Sequence, residues 1–536
     1  MNYLEIIVRK LIRKRIESQA DLFSIKRQFA KKYKVACPKN SALLLTYHKL
    51  LKEGKVKKNE SLERFLRTKK VRSLSGIVSV SVLTRPAPCP GKCLYCPTQD
   101  NLPKSYLDGE PAVMRALANN FNPYLQVKTR LETLKATGHN VSKIELIIIG
   151  GTWSSLPTKY QTQFIRECFR ACNEYGGQKT RFSERNSPQR ANQELLATQK
   201  INEKAKHRII GITIETRPDY INKAEIKKLR NLGVTRIELG VQSLDDSVLK
   251  KNLRGHGIDK TILATRLLKN AGFKICYHMM PNLPGSNLKK DEKMFTELFN
   301  NPDFQPDFLK IYPCVVVKEA PLYKFWLKGK YRPYNDRQLI DLLVKVKQKI
   351  PIWCRIIRIY RDIPSTKIMA GSKISNLRQV VVQELKEQGK KCLCIRCREV
   401  KGKFLPKDKL KLFRQDYLAS ESKEVFLTFE DKTRSYLYSL LRLRLPKDKS
   451  SSVFPVLKDA ALMREVHTYG ETIGFDQKTK TSPQHRSLGK ELIRASEKIA
   501  KKEGFKKMAV ISGIGSRNYY RILGYELKNT YMVKNL

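Results

Sequence analysis

The sequence predicts an α/β protein in which a partial (β/α)6-type barrel lies between a basic helical N-terminal region and a C-terminal domain of strands and helices. Strand-like and helix-like segments alternate between residues 76 and 370, which is typical of a parallel sheet covered by helices. After residue 426 the order changes to strands, then one long helix, then strands. The chain has 536 residues, enough for about three or four domains. We therefore predict four segments: 1–75, 76–370, 371–425 and 426–536.

The first segment, residues 1–75, is predicted to be helical and basic. Its buried face is indicated by Leu44, Leu50 and Leu51. Its positive, solvated face is indicated by Arg64, Lys69, Lys70 and Arg72. We interpret this segment as a module that binds nucleic acid, and a basic face on an ordinary packing domain is the alternative.

The whole chain carries a large positive charge. It has 106 Lys and Arg residues against 50 Asp and Glu residues, a formal net charge of +56. A field of this sign attracts polyanions and speeds their encounter with the protein. We therefore expect a nucleic acid partner, and a generally lysine-rich proteome is the alternative explanation.

The second segment contains the predicted barrel. Its strand-like runs are 77–84, 144–149, 209–216, 236–241, 273–279 and 308–312. The helix-like runs between and after them include 124–137, 160–175, 223–231, 261–271 and 336–348. About six such units make a partial barrel, with functional groups at the carboxyl ends of the strands. The polar stretch 177–206 is predicted to be a surface insertion.

Three cysteines follow the first predicted strand in a C-x3-C-x2-C arrangement: Cys89, Cys93 and Cys96. Three thiolates on one loop hold three irons of a cubane cluster and leave the fourth iron open to another ligand. Reductive cleavage of S-adenosylmethionine (SAM) requires such an iron, so the loop predicts a [4Fe–4S] cluster and SAM. A structural zinc knuckle is the alternative, although zinc usually takes four protein ligands.

Polar or flexible residues end three of the predicted strands. Gly150 and Gly151 follow the strand that ends at residue 149, and glycines allow a ligand to approach the backbone. Glu215 and Arg217 end the next strand and offer opposite charges to a zwitterion. Gln242 ends the strand after that. Their shared position at strand ends predicts one SAM site, although each group alone is also consistent with a simple turn.

The C-terminal segment is predicted to form strands at 437–445, 461–470 and 508–512 and a helix at 488–503. The residues that precede and begin this helix are Gln484, His485, Arg486, Ser487, Leu488, Gly489 and Lys490. This stretch is near the Q/R-x-x-G-x-G/A loop with which GNAT-type acetyltransferases hold coenzyme A, and helix N-termini bind pyrophosphate. Ser487 replaces the first glycine, which is tolerable if the backbone keeps a negative φ. An ordinary helix start is the alternative.

The stretch 516–520 follows the last predicted strand of this domain. It includes Asn518, Tyr519 and Tyr520. We assign Asn518 to acetyl-CoA binding and expect a tyrosine hydroxyl to orient the thioester. Core packing is the alternative role for the two tyrosines.

A second cysteine group lies between the two catalytic segments. Cys392, Cys394 and Cys397 predict a zinc site, for which His467 is one candidate fourth ligand, and a reduced cluster without metal is the alternative. The 12 cysteines cluster instead of pairing, and no secretory signal precedes them. The longest apolar runs, such as 146–149, are too short to span a bilayer. We therefore expect metal chemistry in the reducing cytoplasm, with no membrane partner.

Taken together, these motifs resemble the catalytic subunit of Elongator in its stand-alone archaeal and bacterial form. The resemblance covers residues from about 70 to 536. The stretches that carry it include 71–76, the first cysteine loop, 114–116, 215–219, 240–243, 254–256, 278–281, 309–313, 361–364, 464–467 and 517–520. It implies a radical-SAM barrel followed by a GNAT-type acetyltransferase domain.

The resemblance also implies a tRNA carboxymethyluridine synthase that uses acetyl-CoA, SAM and a [4Fe–4S] cluster. Such an enzyme adds a carboxymethyl group to C5 of uridine 34 in the anticodon stem–loop, without other Elongator subunits. We assign catalytic roles to Lys310, Tyr519 and Tyr520 on this basis. Two other functions are consistent with the sequence: a protein lysine acetyltransferase with a structural cluster domain, and a tRNA-binding module without catalysis.

Overall fold

A computed structural model describes residues 3–14, 16–68, 75–178, 188–401, 406, 409–449, 453–470 and 487–536. The helices are α1 (Tyr3–Arg13), α2 (Gln19–Lys32), α3 (Asn40–Lys52), α4 (Glu60–Leu66), α5 (Pro111–Leu117), α6 (Pro123–Ala136), α7 (Thr158–Tyr175), α8 (Pro188–Asn202), α9 (Lys223–Asn231), α10 (Asp246–Lys251), α11 (Ile258–Asn270), α12 (Leu288–Asn300), α13 (Leu322–Leu327), α14 (Asp336–Lys349), α15 (Leu377–Glu387), α16 (Ile395–Arg398), α17 (Leu488–Lys502) and α18 (Arg517–Arg521).

The strands are β1 (Val78–Leu83), β2 (Lys143–Ile149), β3 (Arg208–Thr216), β4 (Arg236–Gln242), β5 (Lys274–Met279), β6 (Phe308–Ile311), β7 (Val316–Val317), β8 (Arg355–Arg358), β9 (Ile368–Ala370), β10 (Leu410–Ala419), β11 (Ser422–Asp431), β12 (Leu437–Leu445), β13 (Ala460–Thr468), β14 (Lys507–Val510), β15 (Glu526–Lys528) and β16 (Tyr531–Asn535). None of the helices in the described ranges has the length and apolar character needed to cross a bilayer.

The N-terminal region is helical, as predicted. Helices α1 to α4 pack around their own apolar core, in which Leu44 and Leu50 are fully buried and Leu51 is partly buried. A capping box at Ser18 begins α2, because Ser18 accepts from the Asp21 N–H and Asp21 accepts in return. The predicted basic residues Lys69, Lys70 and Arg72 lie outside the described ranges.

The central region is an open parallel barrel. Its seven strands follow the order β1-β2-β3-β4-β5-β6-β8, and every neighbouring pair is parallel. The first and last strands are not paired with each other, so the barrel is incomplete. The sequence predicted the first six strands. It missed β8, in which two arginines flank two adjacent isoleucines and whose four residues are too few for a reliable pattern.

The prediction that 177–206 is a surface insertion was wrong for residues 188–206, and residues 179–187 lie outside the described ranges. Within the described part, α8 packs against α7 and buries Leu195, Thr198 and Asn202. The Asn202 amide donates to Asn173 Oδ1 at 2.7 Å and to the His207 carbonyl at 3.1 Å. Some polar side chains of α8 thus form buried hydrogen bonds, which composition alone does not reveal.

The C-terminal domain is a seven-stranded sheet in the order β10-β11-β12-β13-β14-β16-β15. All its neighbouring strands are antiparallel except β13 and β14, which pair in parallel only over 460–463 and 507–510. Beyond that point β13 continues beside β12 alone, so a cleft opens between β13 and the segment after β14. The domain starts before residue 426, because β10 lies inside the predicted 371–425 linker. That strand is an edge rich in charged residues and lacks an apolar run.

Buried charges join the barrel to the C-terminal sheet in what we call the interdomain ion network. Its members are Lys269 and Asp307 from the barrel, and Glu424, Arg442, Arg444, Arg464 and Glu465 from the sheet. Arg464 Nη1 donates to Asp307 Oδ2 at 2.9 Å and to the Phe273 carbonyl at 2.6 Å, while its Nε donates to Glu424 at 3.1 Å. Burial alone would raise the pKa of Asp307, but Arg464 and Lys269 outweigh it and lower that pKa.

Candidate active site and coenzyme cleft

The first cysteine loop follows β1 at the carboxyl edge of the barrel. The Leu94 N–H donates to the Asn252 carbonyl at 3.2 Å, and Arg254 Nη1 lies 3.5 Å from Cys93 Sγ. Burial, followed by the neighbouring Cys93, raises the pKa of Cys96 to about 11. A bound cation is therefore needed to hold Cys96 as a thiolate at neutral pH.

The loop leaves a small cradle at Gly91. A Cβ atom there would lie 3.6 Å from Cys93 Sγ, 3.7 Å from Cys89 Sγ and 2.6 Å from Arg217 Nη1. Arg217 pairs with Asp219 through Nε and Nη2, at 2.9 and 2.8 Å, whereas its buried Nη1 has no partner among the described residues. Two sulfurs and an unused guanidinium donor thus face one space, which fits a cluster with an anionic ligand group beside it.

The predicted SAM residues adjoin this cradle. Gly150 has φ +133°, and a Cβ there would be 2.0 Å from Thr84 Oγ1, so only glycine fits. Gly151, at φ +90°, leads to Thr152, whose Oγ1 lies 3.9 Å from Cys89 Sγ. Gln242 has φ +72° at the end of β4, and its buried Oε1 is unpaired within the described ranges. The glycine turn and the cysteine loop therefore border the same pocket.

A buried set of charged side chains lies inside the barrel, which we call the carboxylate–lysine cluster: Glu215, Glu238, His278 and Lys310. Lys310 Nζ forms an ion pair with Glu238 and lies 3.4 Å from Glu215 Oε1. His278 Nε2 is 2.9 Å from Glu238 Oε2. Tyr106 donates to Glu215 Oε2 at 2.9 Å.

The charges in this cluster shift one another's pKa. Burial would raise the pKa of Glu238, but Lys310 and then His278 outweigh it and lower that pKa. Burial would lower the pKa of Lys310, but Glu238 outweighs it and raises that pKa. Glu238 is therefore a carboxylate and Lys310 an ammonium at neutral pH. The sequence singled out Glu215 and Lys310 and missed Glu238, whose only signal is a carboxylate inside an apolar strand.

The start of α17 lies at the cleft of the C-terminal sheet. Ser487 adopts φ +62° and ψ +9°, the left-handed region, so the negative φ that we required for its tolerance is not present. Ser487 therefore adopts a left-handed backbone conformation that is typical of glycine. A Cβ added at Gly489 would lie 3.3 Å from the Tyr519 hydroxyl. Gln484, His485 and Arg486 lie outside the described ranges, whereas Leu488 and Lys490 belong to the first turn of α17.

The residues of α18 face three different environments. Tyr519 places its hydroxyl beside the start of α17, and burial raises its pKa to about 12. Tyr520 is 7% exposed and packs edge-on against Tyr519 and Tyr525 in the domain core. The Asn518 amide instead donates to the Glu203 carbonyl at 3.1 Å, and Arg517 pairs with the Glu203 carboxylate at 3.0 Å. Asn518 therefore faces the barrel.

The second cysteine group surrounds the short helix α16. The sulfurs of Cys392, Cys394 and Cys397 all lie within 4.8 Å of one another, as expected for ligands of one ion. Lys347 Nζ lies 3.6 Å from Cys397 Sγ. His467 is not among them, because its Nε2 lies 2.8 Å from the Ser75 carbonyl. The structure therefore does not support His467 as a fourth ligand.

Comparisons with known proteins agree with this arrangement. Residues 88–298 match the Radical SAM superfamily, and residues 306–387 match the Radical_SAM C-terminal domain. The first match spans the cysteine loop and strands β2 to β5, and the second contains Lys310. The barrel is therefore of the radical-SAM type, which uses SAM and an iron–sulfur cluster.

Similar proteins cover almost the whole chain. The tRNA uridine(34) acetyltransferase of Methanocaldococcus infernus is 43% identical over 91% of this chain and 91% of its own. Elongator complex protein 3 of Dictyostelium discoideum is 39% identical over 88% of this chain and 84% of its own. The solved structure of the archaeal M. infernus Elp3, lacking residues 1–46, matches with a TM-score of 0.72 and 41% identity, covering 86% of this chain and 100% of that one. The chain belongs to the family of tRNA uridine(34) acetyltransferases and Elongator complex protein 3.

Proposed function

We propose that this protein is a tRNA carboxymethyluridine synthase, which transfers an acetyl-CoA-derived carboxymethyl group to C5 of the wobble uridine 34. The observation that carries the proposal is a three-cysteine loop placed beside the carboxylate–lysine cluster in a chain that also contains an acetyltransferase-type cleft. The names of its relatives support the same substrate. C5 of uridine is a poor nucleophile, so simple acyl transfer does not explain such a product.

The barrel residues have distinct roles in this proposal. Cys89, Cys93 and Cys96 would hold the cluster, which together with SAM would supply the radical chemistry needed to activate the acetyl methyl group. Gly150 and Gly151 admit the amino-acid part of SAM, and the unused atoms of Arg217 and Gln242 bind its charged groups. Because Glu238 keeps Lys310 protonated, Lys310 acts as a hydrogen-bond donor in the pocket and not as a base.

The C-terminal cleft binds acetyl-CoA in this proposal. The first N–H groups of α17 have no acceptor inside the helix and are positioned to bind the pyrophosphate. The Tyr519 hydroxyl, protonated at neutral pH, donates to the thioester oxygen near Gly489. Tyr520 positions Tyr519 from the core. Zinc at Cys392, Cys394 and Cys397 fixes the segment between the two domains.

RNA binding follows from the charge of the chain. A net charge of +56 supplies phosphate contacts, so affinity for tRNA should fall steeply with salt. An anticodon loop is single-stranded, and extruding one of its bases into the barrel costs less than opening a duplex. The protein in this proposal is cytoplasmic and works without other Elongator subunits.

The test uses anaerobically reconstituted enzyme, SAM, dithionite, acetyl-CoA labelled with 13C at the methyl carbon, and a tRNA transcript. Nucleoside mass spectrometry should find labelled 5-carboxymethyluridine, and Cys93→Ala should abolish both this product and 5′-deoxyadenosine. Cys37→Ala, at an exposed cysteine outside both groups, is the matched control. Faster labelling of a lysine peptide than of uridine would make the protein a lysine acetyltransferase. Failure to bind millimolar acetyl-CoA would leave a tRNA-binding module.

A further inference from the structure

We propose that the surface formed by residues 318–332, which we call the α13 surface, binds unpaired nucleotides next to the target base by stacking and by phosphate contacts. The inference rests on the proposed function, because it identifies where the RNA loop of that reaction is held. Its occupant is single-stranded RNA.

The α13 surface is attached directly to the first cysteine loop. The Leu322 N–H donates to the Leu94 carbonyl at 2.8 Å, and the Thr98 N–H donates to the Glu319 carbonyl at 2.9 Å. These two bonds lie on either side of Cys96. A nucleotide on α13 is therefore adjacent to the loop that holds the cluster, as the neighbours of an extruded base must be.

The exposed side chains of this surface are mostly basic, and Phe325 and Leu327 are its exposed large apolar residues. Phe325 is 36% exposed, and Trp326 packs at 5.8 Å against Tyr323 beside it. The exposed cations of residues 318–332 are Lys318, Lys324, Lys328, Lys330 and Arg332, and Glu319 is the only acidic residue in that stretch. An aromatic face ringed by cations is the combination with which proteins bind single-stranded nucleic acids. A second protein chain would be recognised better by an apolar patch with fewer like charges.

The surface is also held in place before any ligand binds. Leu322 is fully buried and anchors the start of α13. The helix ends at Leu327, and the chain then turns at Gly329, with φ +68°, so that the Lys330 N–H donates to the Phe325 carbonyl at 2.9 Å. The Tyr331 hydroxyl then donates to the Asn282 carbonyl at 2.8 Å. Pre-organisation of this kind lowers the entropic cost of binding a flexible RNA loop.

The experiment measures the affinity of the full-length protein for two RNAs by fluorescence anisotropy: an anticodon stem–loop, and a duplex of equal length and charge. Phe325→Leu keeps an apolar side chain but removes the π face, so affinity for the stem–loop should fall roughly 5- to 100-fold. Phe325→Tyr should keep the affinity. Leu327→Ala, at a 62% exposed aliphatic residue of the same helix, should change it less than about twofold. None of these changes should alter affinity for the duplex.

Three results would overturn the inference. The first is unchanged stem–loop affinity in Phe325→Leu. The second is an equal loss in Phe325→Leu and Phe325→Tyr, or an equal loss for the duplex, which would remove stacking as the cause. The third is a difference in molar mass between Phe325→Leu and the wild type, measured by light scattering. Such a difference would make the surface a contact between copies of the chain. If the wild type forms labelled nucleoside while one of these results holds, only this inference fails; if it neither binds nor modifies tRNA, the proposed function fails.

Discussion

Removing Arg464 from the interdomain ion network should destabilise the protein more than any surface change. Arg464 is fully buried and donates to Asp307, Glu424 and the Phe273 carbonyl. In Arg464→Met the carboxylates of Asp307 and Glu424 stay buried but lose the guanidinium that pairs with both of them. Breaking a buried pair in this way costs about 3–5 kcal/mol.

The same network predicts that Lys269→Met is harmless. The network contains four cations and three carboxylates, so without Lys269 the charges balance at three and three. Lys269 Nζ lies 3.8 Å from Asp307 and 3.9 Å from Glu424 and has no hydrogen-bond partner among the described residues. Its removal should leave stability equal to the wild type or higher, because a buried ion pair often contributes less than apolar packing of similar volume.

Thermal unfolding of the reconstituted protein is the assay, with Arg337→Ala as the control. Arg337 is 65% exposed and pairs with Asp341 and Glu384, so its loss should cost at most about 1 kcal/mol. We expect the thermal unfolding midpoint of Arg464→Met to lie well below that of Arg337→Ala. The midpoint of Lys269→Met should equal or exceed that of the wild type. A midpoint for Arg464→Met equal to that of Arg337→Ala would refute the reasoning, as would a large loss in Lys269→Met.

The network also predicts a pH dependence of known sign. Burial lowers the pKa of Lys269 from 10.5 to about 8, so between those values the unfolded chain binds more protons than the folded one. Stability from this group should therefore rise as pH increases from 8 to 10.5, and Lys269→Met should remove that rise. Asp307 has a lowered pKa, so its contribution is present above about pH 4 and is lost as pH falls further. The midpoints of wild type and Lys269→Met at several pH values test both signs.

The remaining predictions concern the cleft and the second cysteine group. Ser487→Gly should relieve about 1–2 kcal/mol of left-handed strain, offset by about 0.4–1 kcal/mol of chain entropy, so the thermal midpoint should rise slightly or hold; a clear fall would contradict the backbone argument. Tyr519→Phe should slow formation of labelled nucleoside roughly 10- to 100-fold and should retain the coenzyme affinity measured by calorimetry. Tyr520→Phe should slow turnover less. A larger effect of Tyr520→Phe would make Tyr520 the hydrogen-bond donor. Cys394→Ser should lose about one zinc per chain in elemental analysis and leave the iron content unchanged, and retained zinc would exclude this site.

Local patterns were sufficient to predict several parts of the site. The spacing of Cys89, Cys93 and Cys96 is a property of a few consecutive residues, and Gly150 and Gly151 directly follow an apolar run. Strands β1 to β6 were predicted from short local patterns rich in β-branched residues: β1 alternates valine with serine, and β2 contains the continuous apolar run 146–149. Their parallel order then follows from the alternation with helices.

The remaining features depend on contacts between distant residues. Glu238 and His278 are 40 residues apart and meet only when β4 and β5 align. Ser487 adopts a positive φ at the start of α17, and a serine does not signal this because positive φ is typical of glycine. Asn518 was assigned to the coenzyme within the stretch 516–520, and its amide donates to the Glu203 carbonyl, 315 residues away in the sequence. Sequence proximity therefore does not indicate which face a short helix presents.

The two catalytic halves are joined at two separate places, and this restricts how the reactants can meet. Asp307 of the barrel pairs with Arg464 of the sheet in the buried network, and Glu203 pairs with Arg517 and Arg521, at 3.0 and 2.6 Å. Two such attachments, one of them a buried network of several ion pairs, restrict the rotation of one half against the other. The distance between the barrel pocket and the C-terminal cleft therefore changes little. In the proposed reaction the acetyl group would therefore move between the two sites on the flexible arm of its own carrier, and the length of that arm would determine which thioesters serve as donors.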